Sequence, residues 1–366
     1  MDEYFNPVKV IHSNDWFTDL TNHLTQFKIN NPLIVTSPGN NTRLNLENHF
    51  HSNSIYCFKG SNPTFEDCNN VIDFSQSNPF DGVIAIGGGS PMDLAKVVIA
   101  YLGTGETNIL KLIKYKKKYS TDIPSIFIPT THGTGSEVTM WGTVWNMVEK
   151  KKYSISHPSL YPTVAILDGS LTTSLPIETS IITILDALSH SFEAIWNKNA
   201  NSVSTAYAID AITLILNNIE SFKNDSLNIE VRKKLLLASN KAGLAFSNTK
   251  TAAAHSISYP LTIHYGIPHG VAASITLIPL LNINKGSISE SLRILYNNLG
   301  LSFNELKDRI SSIPSSIVPF KFIEWGVSMK DIPKIVKESF TKGRMENNIV
   351  RLNELSIHSI LIEFLE

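Results

Sequence analysis

Gly82-Val-Ile-Ala-Ile-Gly87-Gly-Gly-Ser90-Pro-Met-Asp93-Leu-Ala-Lys96 holds a strand, a bare turn and a helix start in one short stretch. Residues 82–86 form a short β-rich apolar run, as a strand buried on both faces would. Gly87, Gly88 and Gly89 permit a tight turn and close approach of a ligand to the backbone. Ser90 suits a helix N-cap, Pro91 the first helical position, and Asp93 completes a capping-box-like Ser-x-x-Asp. A strand, a glycine turn and a capped helix N-terminus together cradle a pyrophosphate. The spacing is not Gly-x-Gly-x-x-Gly, so the usual dinucleotide fingerprint does not apply. A merely tight turn is the competing reading, but it rarely needs three consecutive glycines.

Outward from this turn, short apolar runs recur at 32–36, 54–58, 125–129 and 163–167, separated mostly by helix-compatible stretches. That alternation predicts βαβ units and a parallel sheet. Beyond Pro176 the strands cease. Residues 178–197, 202–222, 228–247, 270–283, 289–299, 303–312 and 330–340 all read as helices. The boundary is expected near 170–177, dividing an α/β dinucleotide-binding domain (1–172) from an all-helical domain (173–366).

The chain has 366 residues, 42% of them hydrophobic, enough for two cored domains. A net charge of −1 offers no basic field for nucleic acid or a membrane surface. Cys57 and Cys68 are too few for a disulfide framework or a thiolate zinc site and fit a reducing compartment. No apolar run is long enough to span a bilayer and the first residues lack a signal-peptide core, so a cytoplasmic location is expected. The runs Lys114-Tyr-Lys-Lys-Lys118 and Lys150-Lys-Lys152 read as solvated charge.

The helical half contains four further residues of interest. Asp186 and His190 stand four apart on one helix face, and His255 and His269 bracket a second stretch closed by Pro268 and Gly270. One carboxylate with imidazoles suits Zn or Fe(II), with a position left for water or substrate. Hydrogen-bonded core residues are the competing reading. Upstream, Thr130-Thr-His-Gly-Thr-Gly-Ser-Glu-Val-Thr139 sets hydroxyls among glycines at the carboxyl end of a parallel strand, where open α/β sheets bind ligands.

Gly-Gly-Gly-Ser-Pro-Met-Asp-x-Ala-Lys, Pro-Thr-Thr-x-Gly-Thr-Gly-Ser-Glu-Val-Thr, Asp-Ala-Leu-Ser-His and His-(x)13-His-Gly occur here in order. Together they closely resemble the iron-containing (group III) alcohol dehydrogenases over nearly the whole chain. The resemblance implies a dehydroquinate synthase-like fold: a Rossmann-like dinucleotide domain and an all-α metal domain. It implies that Asp186, His190, His255 and His269 ligate Fe(II) or Zn. Gly87, Gly88, Gly89, Ser90, Asp93, Thr130, Thr131, Thr134 and Ser136 would line the NAD(P) site, with Lys152 reaching the cofactor. The implied activity is metal-dependent, NADPH- or NADH-linked reduction of a small aldehyde to its alcohol by a homodimer or larger homo-oligomer. A dehydroquinate-synthase-like lyase acting on a sugar phosphate shares the fold and is the rival reading.

Within the family, Trp141-Gly-Thr-Val-Trp145-Asn, Glu193-Ala-Ile-Trp-Asn197 and the stretch from Asn248 to Thr262 look most like phosphonoacetaldehyde reductases. That implies reduction of phosphonoacetaldehyde to 2-hydroxyethylphosphonate. Tyr259 stands where many members place another histidine, and His132 where a small residue is usual. Ser37 replaces the carboxylate that holds the adenosine ribose in NAD-preferring members, which removes a charge that would repel the 2′-phosphate of NADP. A phosphonate needs a nearby cation; Lys250 is the first candidate and Arg344 the second.

Overall fold

The structure, a computed structural model, describes residues 3–115 and 123–365. Residues 116–118 of the first lysine run lie outside the described residues. The chain forms two compact units. Asn6–Thr131 and Gly135–Thr172 make one, and Thr173–Glu366 makes the other together with residues 1–5 and His132–Thr134.

In the α/β unit, β1 (Lys9–His12), α1 (Trp16–Phe27), β2 (Pro32–Thr36), α2 (Pro38–Arg43) and β3 (Ile55–Cys57) come first. They are followed by α3 (Phe65–Gln76), β4 (Gly82–Gly87), α4 (Gly89–Thr104), α5 (Ile109–Lys114) and β5 (Ser125–Pro129). A hairpin of β6 (Trp141–Asn146) and β7 (Lys151–Ser156) precedes β8 (Val164–Leu167). Six strands pair in parallel in the order β1-β8-β5-β4-β2-β3. The continuous apolar runs are explained by burial on both faces. Leu33, Val35, Val83, Ala85 and Phe127 point into one core, while Ile34, Ile84, Ile86, Ile126 and Ile128 point into the other.

Three features depart from the sequence reading of this unit. Lys9–His12 is a short edge strand paired with β8, and the β6–β7 hairpin was not expected. Helix α4 also begins at Gly89 with Gly88 as N-cap and no side-chain cap. Ser90 is therefore inside the helix, and Asp93 closes no capping box. The glycines let the backbone turn straight into the helix without a side chain to cap it.

The helical unit comprises α6 (Ile177–Ile195), α7 (Ser202–Asn224), α8 (Ile229–Thr249), α9 (Ala253–Tyr265), α10 (His269–Ser274) and α11 (Leu277–Asn284). It continues through α12 (Ser289–Leu299), α13 (Phe303–Ser312), α14 (Ile332–Glu338) and α15 (Glu354–Ile362). Helix α6 is at its centre, packed on α7, α8 and α10. The expected helix 270–283 is two helices, and α9 and α15 were not expected. Pro260 lies inside α9, where a proline ordinarily interrupts a helix.

No single described helix is long and apolar enough to cross a membrane; the pair His269–Asn284 and Ser289–Leu299 qualifies only together, bent by 117°. Its apolar side chains Val271, Leu277, Leu280, Leu281, Leu292 and Leu295 are buried in the protein core.

Candidate metal centre and nucleotide turn

Asp186 and His190 project from the same face of α6, one turn apart, both buried. His255 lies in the first turn of α9 and His269 opens α10. Two contacts bring α10 onto α6. The hydroxyl of Ser189 donates to the carbonyl of Ala273 at 2.7 Å. A Cβ at Gly270 would stand 1.9 Å from the carbonyl oxygen of Ile182, so only glycine allows this approach.

Among the described residues, Asp186, His255 and His269 form a group whose donor atoms all lie within 4.8 Å of one another. Oδ1 of Asp186 is 3.5 Å from Nε2 of His255, 3.9 Å from Nε2 of His269 and 4.0 Å from Nε2 of His190. Ligands about 2.1 Å from a tetrahedral metal are about 3.4 Å apart, so these donors need only a small contraction to share an ion. Asp186 Oδ1 and His255 Nε2 are both buried, and neither has a normal hydrogen-bond partner. Such atoms are costly unless a ligand satisfies them. The donor set fits a divalent metal.

His190 is close to Asp186 but outside that mutual group. Its ring is stacked between Phe246, at 4.1 Å, and His255, at 4.5 Å between centroids. Burial opposes charge on Asp186, but His190 and then His255 and His269 outweigh it and hold the carboxyl well below the usual range. Burial likewise opposes protonation of His255, yet Glu193 and Asp186 together raise it.

Tyr259, on α9, accepts a hydrogen bond from Arg344, whose guanidinium lies 5.0 Å from the Tyr259 ring centroid. Burial pushes the Tyr259 phenol up to about 12 against the opposing pull of Arg344. Lys250 is the first of the two candidate cations. It is exposed at the C-cap of α8 with φ 65°, and it is the backbone carbonyl there that receives Asn197 Nδ2, at 3.1 Å. His264 pairs with Glu338 at 2.6 Å.

The α/β unit arranges the other expected residues along the carboxyl edge of its sheet. The register Thr36↔Ile86 and Gly87↔Pro129 puts Ser37, Gly88 and Thr130 just past three adjacent strands. The chain leaves β2 toward β3 but leaves β4 toward β5, so the glycine turn lies at the topological switch point where such sheets bind ligands. A Cβ at Gly88 would stand 3.0 Å from Thr131 Cγ2, and Thr130 N–H donates to the Gly87 carbonyl at 3.0 Å.

Ser37 caps α2, while Arg43 donates to Asn40 and Asn41 to Glu47. Ser90 Oγ accepts from Asn62 N–H. Ser136 and Asp93 join a buried network around Lys96, whose ammonium donates to Ser136 O, Ser136 Oγ, Thr139 Oγ1 and Trp141 O at 2.7–3.0 Å. Burial raises Asp93 to about 6 and lowers Lys96 to about 8. Lys152 lies over Trp145, 5.5 Å from the ring centroid. Thr134 belongs to the helical unit with His132.

Sequence reasoning missed Glu193 and Lys96. Both look like ordinary helix surface residues in sequence; for Lys96 the apolar run Val97-Val98-Ile99-Ala100 that follows was the one signal of burial.

Residues 7–169 match the model "Iron-containing alcohol dehydrogenase", and residues 180–365 match the C-terminal model of the same family. The chain is 32% identical to long-chain-alcohol dehydrogenase 1 of Geobacillus thermodenitrificans over 73% of its own length and 66% of that protein's. It is also 32% identical to phosphonoacetaldehyde reductase of Streptomyces viridochromogenes, over 56% of its length and 53% of the relative's. The chain thus spans just under two thirds of the first and about half of the second. A crystal structure of sulfoacetaldehyde reductase from Bifidobacterium kashiwanohense with NAD+ is similar over 100% of this chain and 99% of that one, at 26% identity and TM-score 0.89. With both halves matched by its models, the chain belongs to the iron-containing alcohol dehydrogenase family.

Proposed function

We propose that this protein is an NAD(P)H-linked reductase that converts phosphonoacetaldehyde to 2-hydroxyethylphosphonate. The observation that carries the reading is the Arg344–Tyr259 pair beside the Asp186 cluster: a cation and a protonated phenol next to a fitting metal site. The relative from Streptomyces supports it.

Asp186, His255 and His269 hold the divalent metal, with His190 as the fourth donor. When bound, the metal supplies a Lewis acid for a carbonyl oxygen and the nicotinamide cofactor supplies the hydride. The remaining tasks belong to the chain. The backbone at Gly87, Gly88 and Gly89 receives the cofactor pyrophosphate, aided by Ser90, Thr130, Thr131, Ser136 and Lys152, while Asp93 holds Ser136 in place. Ser37 admits a 2′-phosphate, so NADPH is accepted at least as well as NADH. Arg344 grips the phosphonate through two oxygens, a geometry its planar fork favours. Tyr259 remains protonated at neutral pH and delivers its phenolic proton to the product alkoxide, then regains one from solvent. His264, engaged with Glu338, has no part in that transfer.

The test is oxidation of NADPH and NADH with phosphonoacetaldehyde, sulfoacetaldehyde and propanal, each with Fe(II), Zn or chelator. Phosphonoacetaldehyde is expected to give the highest kcat/KM with metal present. Preference for sulfoacetaldehyde or propanal overturns the substrate, and no net cofactor consumption by any aldehyde overturns the reductase.

A further inference from the structure

The cluster contains a second buried carboxylate that neither metal binding nor substrate binding accounts for. Glu193 is 0% exposed and follows Asp186 by seven residues, two turns along the same face of α6. Its Oε1 accepts the backbone N–H of His255 at 3.1 Å, and its Oε2 lies 2.6 Å from Nδ1 of the same ring. That backbone N–H is in the first turn of α9, where amides have no helical acceptor and an anion is favoured.

The contact has a chemical consequence. A carboxylate only accepts, so His255 Nδ1 must carry the proton. The lone pair of the neutral ring is then on Nε2, the atom that faces Asp186 Oδ1 at 3.5 Å. Glu193 also sets the charge balance. Asp186 and Glu193 together contribute two negative charges in a buried site, which a divalent cation neutralises.

We propose that Glu193 is a positioning residue: it locks His255 as an Nε2 donor and supplies the second charge that makes the site select a divalent metal. The inference rests on the metal reading above. Partners of this kind, one bond removed from the ion, change metal affinity by about 10- to 100-fold when lost.

The experiment measures Zn(II) affinity by competition with a chromophoric chelator, and Tm with and without zinc, for wild type, Glu193→Gln and Asp186→Asn. Glu193→Gln keeps the shape and removes the charge. It should bind zinc about 10- to 100-fold more weakly, and its metal-free Tm should fall modestly, because Gln leaves His255 only one acceptor oxygen. Its zinc-induced rise in Tm should shrink. Wild-type affinity, or a lower metal-free Tm with an undiminished zinc-induced rise, overturns the proposal and leaves a helix-capping role. Undiminished zinc binding by Asp186→Asn would instead overturn the metal site itself. One measurement needs no variant: long-range 15N–1H spectra of the histidine rings in the zinc-loaded protein. A proton on Nδ1 of His255 is expected; a proton on Nε2 overturns the proposal.

Discussion

The guanidinium of Arg344 lies 5.0 Å from the centroid of Tyr259, a residue 85 positions earlier in the chain. The segment carrying Arg344 is fixed by its neighbours. Asn347 Nδ2 donates to the carbonyls of Thr251 and Gly343, both at 2.9 Å, and the side-chain amides of Asn348 and Asn284 pair reciprocally. Lys198 N–H donates to Asn347 O at 2.8 Å. The backbone that carries the fork is thus held by a framework of amides.

Arg344→Ala should therefore raise KM for phosphonoacetaldehyde at least tenfold, on the order of 1.4 kcal/mol or more, and change propanal kinetics little. Lys250→Ala, at an exposed site, should change KM for either substrate less than about threefold, as surface substitutions do. Steady-state kinetics of both variants on both aldehydes decides this. Equal losses on both substrates by Arg344→Ala would mean damage to the fold around Tyr259.

His255→Ala and His269→Ala should lose metal and activity together while the protein stays folded. Metal analysis and circular dichroism on the same samples check both halves of that statement. Full turnover by an exhaustively chelated sample would remove the metal from the mechanism.

Gly270→Ala tests how α10 is positioned. The added Cβ would meet the Ile182 carbonyl at 1.9 Å, far inside any real contact, so α10 must move from α6 and take His269 with it. Metal affinity should fall even though no ligand is changed, and stability should fall by about 1–3 kcal/mol, as overpacking usually costs. Zinc titration and urea unfolding measure the two effects; wild-type values in both would mean the helices separate freely.

The sequence disclosed this architecture unevenly, for physical reasons. Strands β2, β4 and β5 are buried on both faces, so they stand out as unbroken apolar runs. The hairpin is half exposed and interrupted by polar residues, and its turn includes Lys150 at φ 50°. Helix α9 was hidden by Pro260. Asp186 and His190 were legible because helix periodicity pairs them; Glu193 was not, since the partner that gives it meaning is 62 residues away. Local periodicity reveals a helix face, but the contacts between faces come only with the fold.

Ser37→Asp should shift cofactor preference toward NADH. Ser37 follows β2 at the switch point beside the glycine turn, and its hydroxyl caps α2 by accepting from Asn40 N–H at 3.3 Å. Aspartate can keep that cap while adding a charge that repels a 2′-phosphate and accepts from ribose hydroxyls. The ratio of kcat/KM for NADPH to that for NADH should drop at least tenfold. A strong preference of the unmodified enzyme for NADH would show that this loop was misread.

His132 makes the fold sensitive to acid. Its ring is 0% exposed, edge-on to Phe222 at 6.2 Å between centroids, and neither ring nitrogen has a hydrogen-bond partner. Burial first, and then the Arg232 guanidinium, together push its pKa down to about 3. In the unfolded chain a histidine titrates near about 6.5. The unfolded state therefore takes up a proton that the folded state refuses, and the stability present above pH ~6.5 is lost as pH falls toward ~3. The slope approaches about 1.4 kcal/mol per pH unit for one proton, giving roughly 2 kcal/mol between pH 6.5 and 5. His132→Asn removes the titrating group, so the variant should lose about that much less over the same interval. Urea unfolding at both pH values, with chelator present throughout, isolates the effect, because every other histidine titrates alike in the two proteins. Parallel losses in wild type and variant would show that His132 is protonated within the native fold.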